Sequence, residues 1–158
     1  MVSMIFSGVM MSLRLKKRCV FLSETLLFVS QVSLEIEFVN LPVFDILRKI
    51  ESDGCCRSLD YIGLCVGKMQ SGKALLSSWN ESVEQSALPL KREEREKLKN
   101  LGSMLGTSDA QGQRAVLSLY KSYFTVYYEK ALLEYEKYAR TCVTLGIAAG
   151  VGFFILII

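Results

Sequence analysis

The segment with the most overt chemical pattern is Gly67-Lys68-Met69-Gln70-Ser71-Gly72-Lys73. A G-x-x-x-x-G-K run can cradle nucleotide phosphates, with loop amides facing the phosphates and the lysine reaching the terminal ones. That chemistry also needs a hydroxyl on the next residue to hold magnesium, and position 74 is alanine. No apolar strand ending in aspartate follows to complete a metal site, and the repeated strand–helix units of such folds are missing. The run reads as a junction between two helices, and nucleotide binding is not expected. The other reactive residues lead no further. The chain has no histidine, so serine–histidine and cysteine–histidine nucleophile pairs are impossible. Cys19, Cys55, Cys56, Cys65 and Cys142 are odd in number and lack zinc-ligand spacing. Cys55 and Cys56 are adjacent and would be strained as a disulfide, so all five read as reduced thiols. Glu35 and Glu37, two apart on a helix, face different directions and make no acid–base pair. The reading is of a protein that is not an enzyme, with no catalytic, cofactor-binding or metal residues.

Composition points to the membrane. Half of the chain is hydrophobic, 51%, and the net charge is only +3. The basic residues are mixed with glutamate rather than gathered on a stripe, which argues against nucleic acid. Residues 142–158 carry no charge. As a helix they reach roughly 26 Å, at the short end for a bilayer core of about 30 Å. Ala139 and Thr141 can extend them, while Lys137 and Arg140 snorkel at the boundary. Met1 to Leu13 is apolar or small and is followed by Arg14, Lys16, Lys17 and Arg18. Thirteen residues are too few to span, and charge after the apolar stretch makes a poor secretory signal. The expectation is a partial N-terminal membrane segment over 1–18, a soluble helical domain over 19–140 and a C-terminal transmembrane helix over 141–158. Basic residues flank the domain at both ends, so the positive-inside rule places 19–140 in the cytoplasm.

The elements are helices throughout, with no period-two alternation. A first helix runs from about Ile5 to Phe38, with Leu22, Leu26, Val29, Ser33, Ile36 and Val39 approximating one face. Asn40-Leu41-Pro42 breaks it, Pro42 suiting a first helical turn. Val43, Ile46, Leu47 and Ile50 mark a second helix that Asp53-Gly54 ends. Ser58 is placed to cap a third helix containing Leu59, Ile62 and Val66. A fourth, from about Gly72 to Gln85, carries Trp79 and Val83. The last helix is the longest, with Val116, Tyr120, Tyr123, Tyr127, Ala131, Tyr135, Tyr138 and Cys142 on one stripe that continues into the membrane segment. Tyr135 and Tyr138 alternatively suit the headgroup level.

Between these, residues 91–113 carry the most information. Lys91, Arg92, Glu93, Glu94, Arg95 and Glu96 open a charged fifth helix, with favourable pairs expected for Glu93–Lys97 and Arg92–Glu96. Leu98, Leu101 and Leu105 share a helical face. Gly102 and Gly106, four apart, allow another helix to approach the backbone closely. Gly106 also suits a helix stop, and Thr107, Ser108 and Asp109 offer caps for the next helix.

The order of these features resembles the stage III sporulation protein AB family, a membrane component of the channel linking mother cell and forespore in spore-forming bacteria. The likeness spans nearly the whole chain: Gly8 with Ser12-Leu13-Arg14-Leu15 and Arg18, Leu34-Glu35 with Glu37, Leu41-Pro42, the lone Trp79, Leu98 to Gln113, then Leu145-Gly146 and Gly150 before the apolar end. Each motif alone is weak, and their order and spacing carry the resemblance. Val43 stands where the family usually has leucine, and the acidic pair is slightly out of step. The family usually begins with a longer apolar segment; a misassigned start and a genuinely short helix both account for the difference. The resemblance implies an all-α antiparallel bundle of about six helices, similar to the cytoplasmic domains of type II secretion F proteins. It implies a structural role: a platform on the mother-cell side of the membrane around the forespore, contacting the sporulation ATPase and other channel proteins. No cofactor, small-molecule substrate or nucleic acid is implied, and self-association stays open. Arg92, Glu93, Glu94, Arg95 and Glu96 become the residues for partner contact. Leu98, Leu101, Gly102, Leu105 and Gly106 become helix-packing residues. The alternative is a tail-anchored helical adaptor with another partner.

Overall fold

The computed structural model describes the backbone of residues 2–38, 41–105 and 110–157, with side chains described over 10–38, 41–105 and 112–141. Six helices occur in it: α1 (Val2–Phe38), α2 (Val43–Asp53), α3 (Asp60–Gln70), α4 (Leu75–Gln85), α5 (Arg92–Met104) and α6 (Ala110–Ile157). No strand occurs among the described residues. The two long helices lie antiparallel, because Arg18 meets Glu134 and Glu37 meets Arg114. The four short helices form an insert packed on the middle of this hairpin.

The long helices each bury a continuous face. On α1 it is Arg18, Phe21, Leu22, Thr25, Phe28, Val29, Val32 and Ile36. The sequence stripe was rotated from this: Leu26 and Ser33 are only partly buried, and Val39 lies outside the described residues. The face is wider than one row because α1 meets α6 on one side and the insert on the other. On α6 the buried set is Gln113, Leu117, Tyr120, Phe124 and Ala131. Tyr123, Tyr127, Tyr135 and Tyr138 of the expected stripe are half-buried at its flank. Cys142 lies outside the described side chains.

Local chemistry sets the ends of the short helices. The Pro42 carbonyl accepts the first amide bonds of α2, from Asp45 at 3.0 Å and Ile46 at 3.2 Å. Gly54, at φ 62°, ends α2 in the left-handed region, which costs glycine little. Gly72, at φ 91°, does the same after α3. Chain direction therefore reverses at Gly72, and α4 starts three residues later than the expected Gly72, at Leu75. Ser58 does not cap α3. Its amide and hydroxyl both donate to Glu24 of α1, at 2.7 and 3.1 Å, which ties the α2–α3 connection to the hairpin. α5 ends at Leu105 in extended backbone (φ −70°, ψ 125°), so the helix stops before Gly106. Gly106 and the capping candidates Thr107, Ser108 and Asp109 lie outside the described residues.

Trp79 of α4 is the centre of the core. Its ring stands edge-on to Tyr61 of α3 at 5.3 Å and beside Phe28 of α1 at 5.9 Å, and its Nε1–H donates to the Leu98 carbonyl of α5 at 2.9 Å. One fully buried side chain thus joins four helices. By length and composition, Met10–Phe38 could cross a membrane. Its apolar face, however, is the core of this domain, and Arg18 and Thr25 are buried in that face. The C-terminal stretch expected to span lies on α6, which continues to Ile157 with its side chains outside the described set.

Candidate interaction surface

The charged start of α5 divides into an internal and an external part. Glu94, expected to be exposed, is only 2% accessible. The α5 register that buries Leu98 and Leu101 also turns Glu94 inward, one turn earlier on the same face. There it takes a two-pronged bond from buried Arg18 of α1, Nη2 to Oε1 at 2.5 Å and Nε to Oε2 at 3.2 Å. It also accepts the Lys91 backbone N–H at 2.8 Å, an orphan donor of the helix start. The third arm of Arg18 donates to Glu134 of α6 at 2.6 Å, and Lys91 Nζ reaches the other Glu134 oxygen at 2.6 Å. A single guanidinium fork therefore holds α1, α5 and α6 together, the planar geometry that arginine supplies and lysine does not. Lys91, helped by Arg18 and opposed by partial burial, holds the Glu134 carboxyl below its ordinary value.

Arg95 is also committed internally. It donates to the carbonyls of Val83 at 2.9 Å and Leu88 at 3.2 Å, satisfying acceptors where α4 ends. Arg92, Glu93 and Glu96 remain exposed, and Arg92 pairs with Glu96 at 3.2 Å as its spacing predicts. The expected Glu93–Lys97 pair does not form, because Lys97 sits over the Tyr123 ring of α6 at 4.4 Å. Of the residues singled out for packing, Leu98, Leu101 and Leu105 are buried. Gly102 lies directly under Trp79, so that a Cβ there would fall 2.1 Å from its Cδ1.

The sequence reading missed Arg18, which it placed with the membrane-flanking cations. A signal was present: Arg18, Leu22, Thr25 and Val29 recur at three or four residues, so the charge lies inside the apolar face and requires a buried partner. Glu94, Leu98 and Leu101 repeat that pattern on α5.

The glycine–lysine run forms the end of α3 and the turn after it. Gly67 is inside α3, and the amides of Ser71, Gly72 and Lys73 donate back to the carbonyls of Gly67, Met69 and Lys68. Lys73 pairs with Glu81 at 2.9 Å. Cys55 and Cys56 have sulfurs 3.7 Å apart and are free thiols, as are Cys19 and Cys65. Burial pushes the Cys65 thiol up to about 11, and burial with its Cys55 neighbour pushes Cys56 up to about 12. No three metal-ligating side chains group together among the described residues.

What remains is surface. Within two turns beyond the Arg18–Glu134 pair, α1 carries exposed Arg14, Lys16 and Lys17, and α6 carries exposed Lys137 and Arg140. Both helices thus place cations at one end of the hairpin, on the side of the α1 start and the α6 end. Elsewhere α6 leaves Leu119, Val126 and Leu133 exposed at seven-residue spacing, a row that suits packing along another helix. The fold is an all-α hairpin with a helical insert, tied inside by the Arg18 fork and Trp79 and carrying outside a cationic end and one apolar row on α6. The chain belongs to the stage III sporulation protein AB family, whose family model matches residues 1–158, the whole chain. This is a family of sporulation structure and assembly, and a stage III sporulation role follows from membership. No curated protein and no solved structure matches the chain.

Proposed function

We propose that this chain is a non-enzymatic membrane platform of the stage III sporulation channel, holding a cytoplasmic ATPase and other channel proteins at the membrane. The observation that carries the reading is the shared cationic end of the hairpin. Arg14, Lys16 and Lys17 on α1 and Lys137 and Arg140 on α6 stand together where both helices become uncharged in sequence. Lysine and arginine beside an apolar helical stretch favour the cytoplasmic face of a bilayer. In this reading residues 142–158 cross the membrane, the start of α1 enters beside them, and the domain over 19–140 faces the mother-cell cytoplasm. The mechanism is anchoring and mechanical coupling, as in the type II secretion F proteins whose cytoplasmic domains this one is read to resemble. Arg92, Glu93 and Glu96 are the external charges of α5 available to a partner, while Glu94 and Arg95 hold the platform's own shape.

The test is cross-linking of the full-length protein in sporulating cells, with identification of what is captured. The sporulation ATPase and channel components are the expected catch. Recovery of unrelated membrane proteins alone would reject the channel role. Reversing charge at Arg92, Glu93 and Glu96 should weaken the ATPase contact; unchanged association would remove that surface from the docking site.

A further inference from the structure

We infer that the groove between α1 and the α2–α3 and α4–α5 connections binds the headgroup of an anionic phospholipid, specifically a glycerol headgroup. The groove has a volume of about 490 Å³. Lys16 and Lys17 enter it from α1 and Arg57 from the α2–α3 connection, over a floor that includes Leu13, Val20 and Leu88. None of the three cations is paired with a carboxylate among the described residues, although most other lysines and arginines of the insert are. Three unneutralised cations around an apolar floor fit one phosphate with an acyl chain attached. The direction of the floor favours a lipid over an acidic peptide. Leu13 continues into exposed Met10 and Met11 on α1, so the apolar track runs toward the uncharged start of the helix. Asp60 also lines the groove. Its carboxylate opposes a second negative charge and supplies an acceptor for the hydroxyls of a glycerol headgroup.

This site rests on the membrane reading above, and the two can fail separately. The full chain is reconstituted into bilayer discs of equal parts phosphatidylcholine and phosphatidylglycerol, and the lipids it retains on release are counted by native mass spectrometry. Wild type should retain phosphatidylglycerol preferentially. Arg57→Gln should lower the ratio roughly five-fold, the factor for one surface cation on an anionic headgroup. Lys121→Gln, in the furrow lined by Ser33, Leu34 and Leu117 at the other end of the domain, should leave it unchanged. Matching helical circular dichroism spectra show that the variants are folded. Equal retention by wild type and Arg57→Gln, or an equal fall in Lys121→Gln, overturns the headgroup site alone. Displacement of phosphatidylglycerol by a poly-glutamate peptide assigns the groove to an acidic protein segment and overturns it as well. A chain that does not enter the discs overturns the membrane reading and the site together.

Discussion

Gly102 shows how much can depend on one hydrogen atom. Its backbone lies against the indole of Trp79, and a methyl group there would overlap the ring at 2.1 Å. The ring cannot retreat, because it is fully buried and held by its hydrogen bond to Leu98. Gly102→Ala should therefore destabilise the domain by about 3 kcal/mol, the upper end of overpacking costs, read from urea unfolding in detergent. The loss should be smaller than additive with Trp79→Leu, since the two residues share one contact. The cysteines give a second prediction at this scale. Exposed Cys55 should react with a maleimide at pH 8, while buried Cys56 and Cys65, with thiols held near 12 and 11, should resist until the protein unfolds. Peptide mapping of the alkylated protein checks the order.

Between elements, the decisive group is the Arg18 fork. Arg18→Met leaves Glu94 buried without its partner, and breaking a buried pair from one side costs about 3–5 kcal/mol. Replacing both, Arg18→Met with Glu94→Leu, should cost much less than the single change, because no charge is then left stranded. A double-mutant cycle measures the difference. Glu134 adds a pH dependence to the same junction. A carboxyl held below its ordinary value in the fold contributes stability at all pH above its unfolded value and loses that contribution as pH falls through the folded one. The ordinary glutamate value is 4.5, so the contribution should be constant from neutral pH down to about there and fade below it. Glu134→Gln should flatten the melting temperature between pH 5 and 3 relative to wild type, an about two-unit window set by that ordinary value.

At the scale of the molecule, the hairpin makes both cationic boundaries coincide. Arg18 faces Glu134 and Glu37 faces Arg114, so the first turns of α1 and the last turns of α6 leave the domain at the same end. The platform reading therefore predicts a fixed sidedness. In a variant that keeps Cys55 as its only cysteine, a membrane-impermeant maleimide should label intact cells poorly and permeabilised cells fully, because Cys55 is on the exposed surface of the insert. Equal labelling in both would put the domain on the other side.

The number of helices and their approximate bounds were legible in the sequence. Both rest on local terms: apolar residues at three- and four-residue spacing, Pro42 at one helix start and Gly54 at one end. Family membership was legible too, from motif order along the chain. The division of 92–96 into exposed Arg92, Glu93 and Glu96 and internal Glu94 and Arg95 was not. Neither was Ser58 bonding to Glu24, nor the choice of Lys97 between Glu93 and Tyr123. All three depend on residues distant in sequence arriving at one place. A helix pattern states which face is buried and leaves open which charge on another helix will meet it. Only the tertiary fold placed Arg18 against Glu94 across 76 positions, because a buried charge is tolerated only where the fold brings an opposite charge and further hydrogen bonds to it.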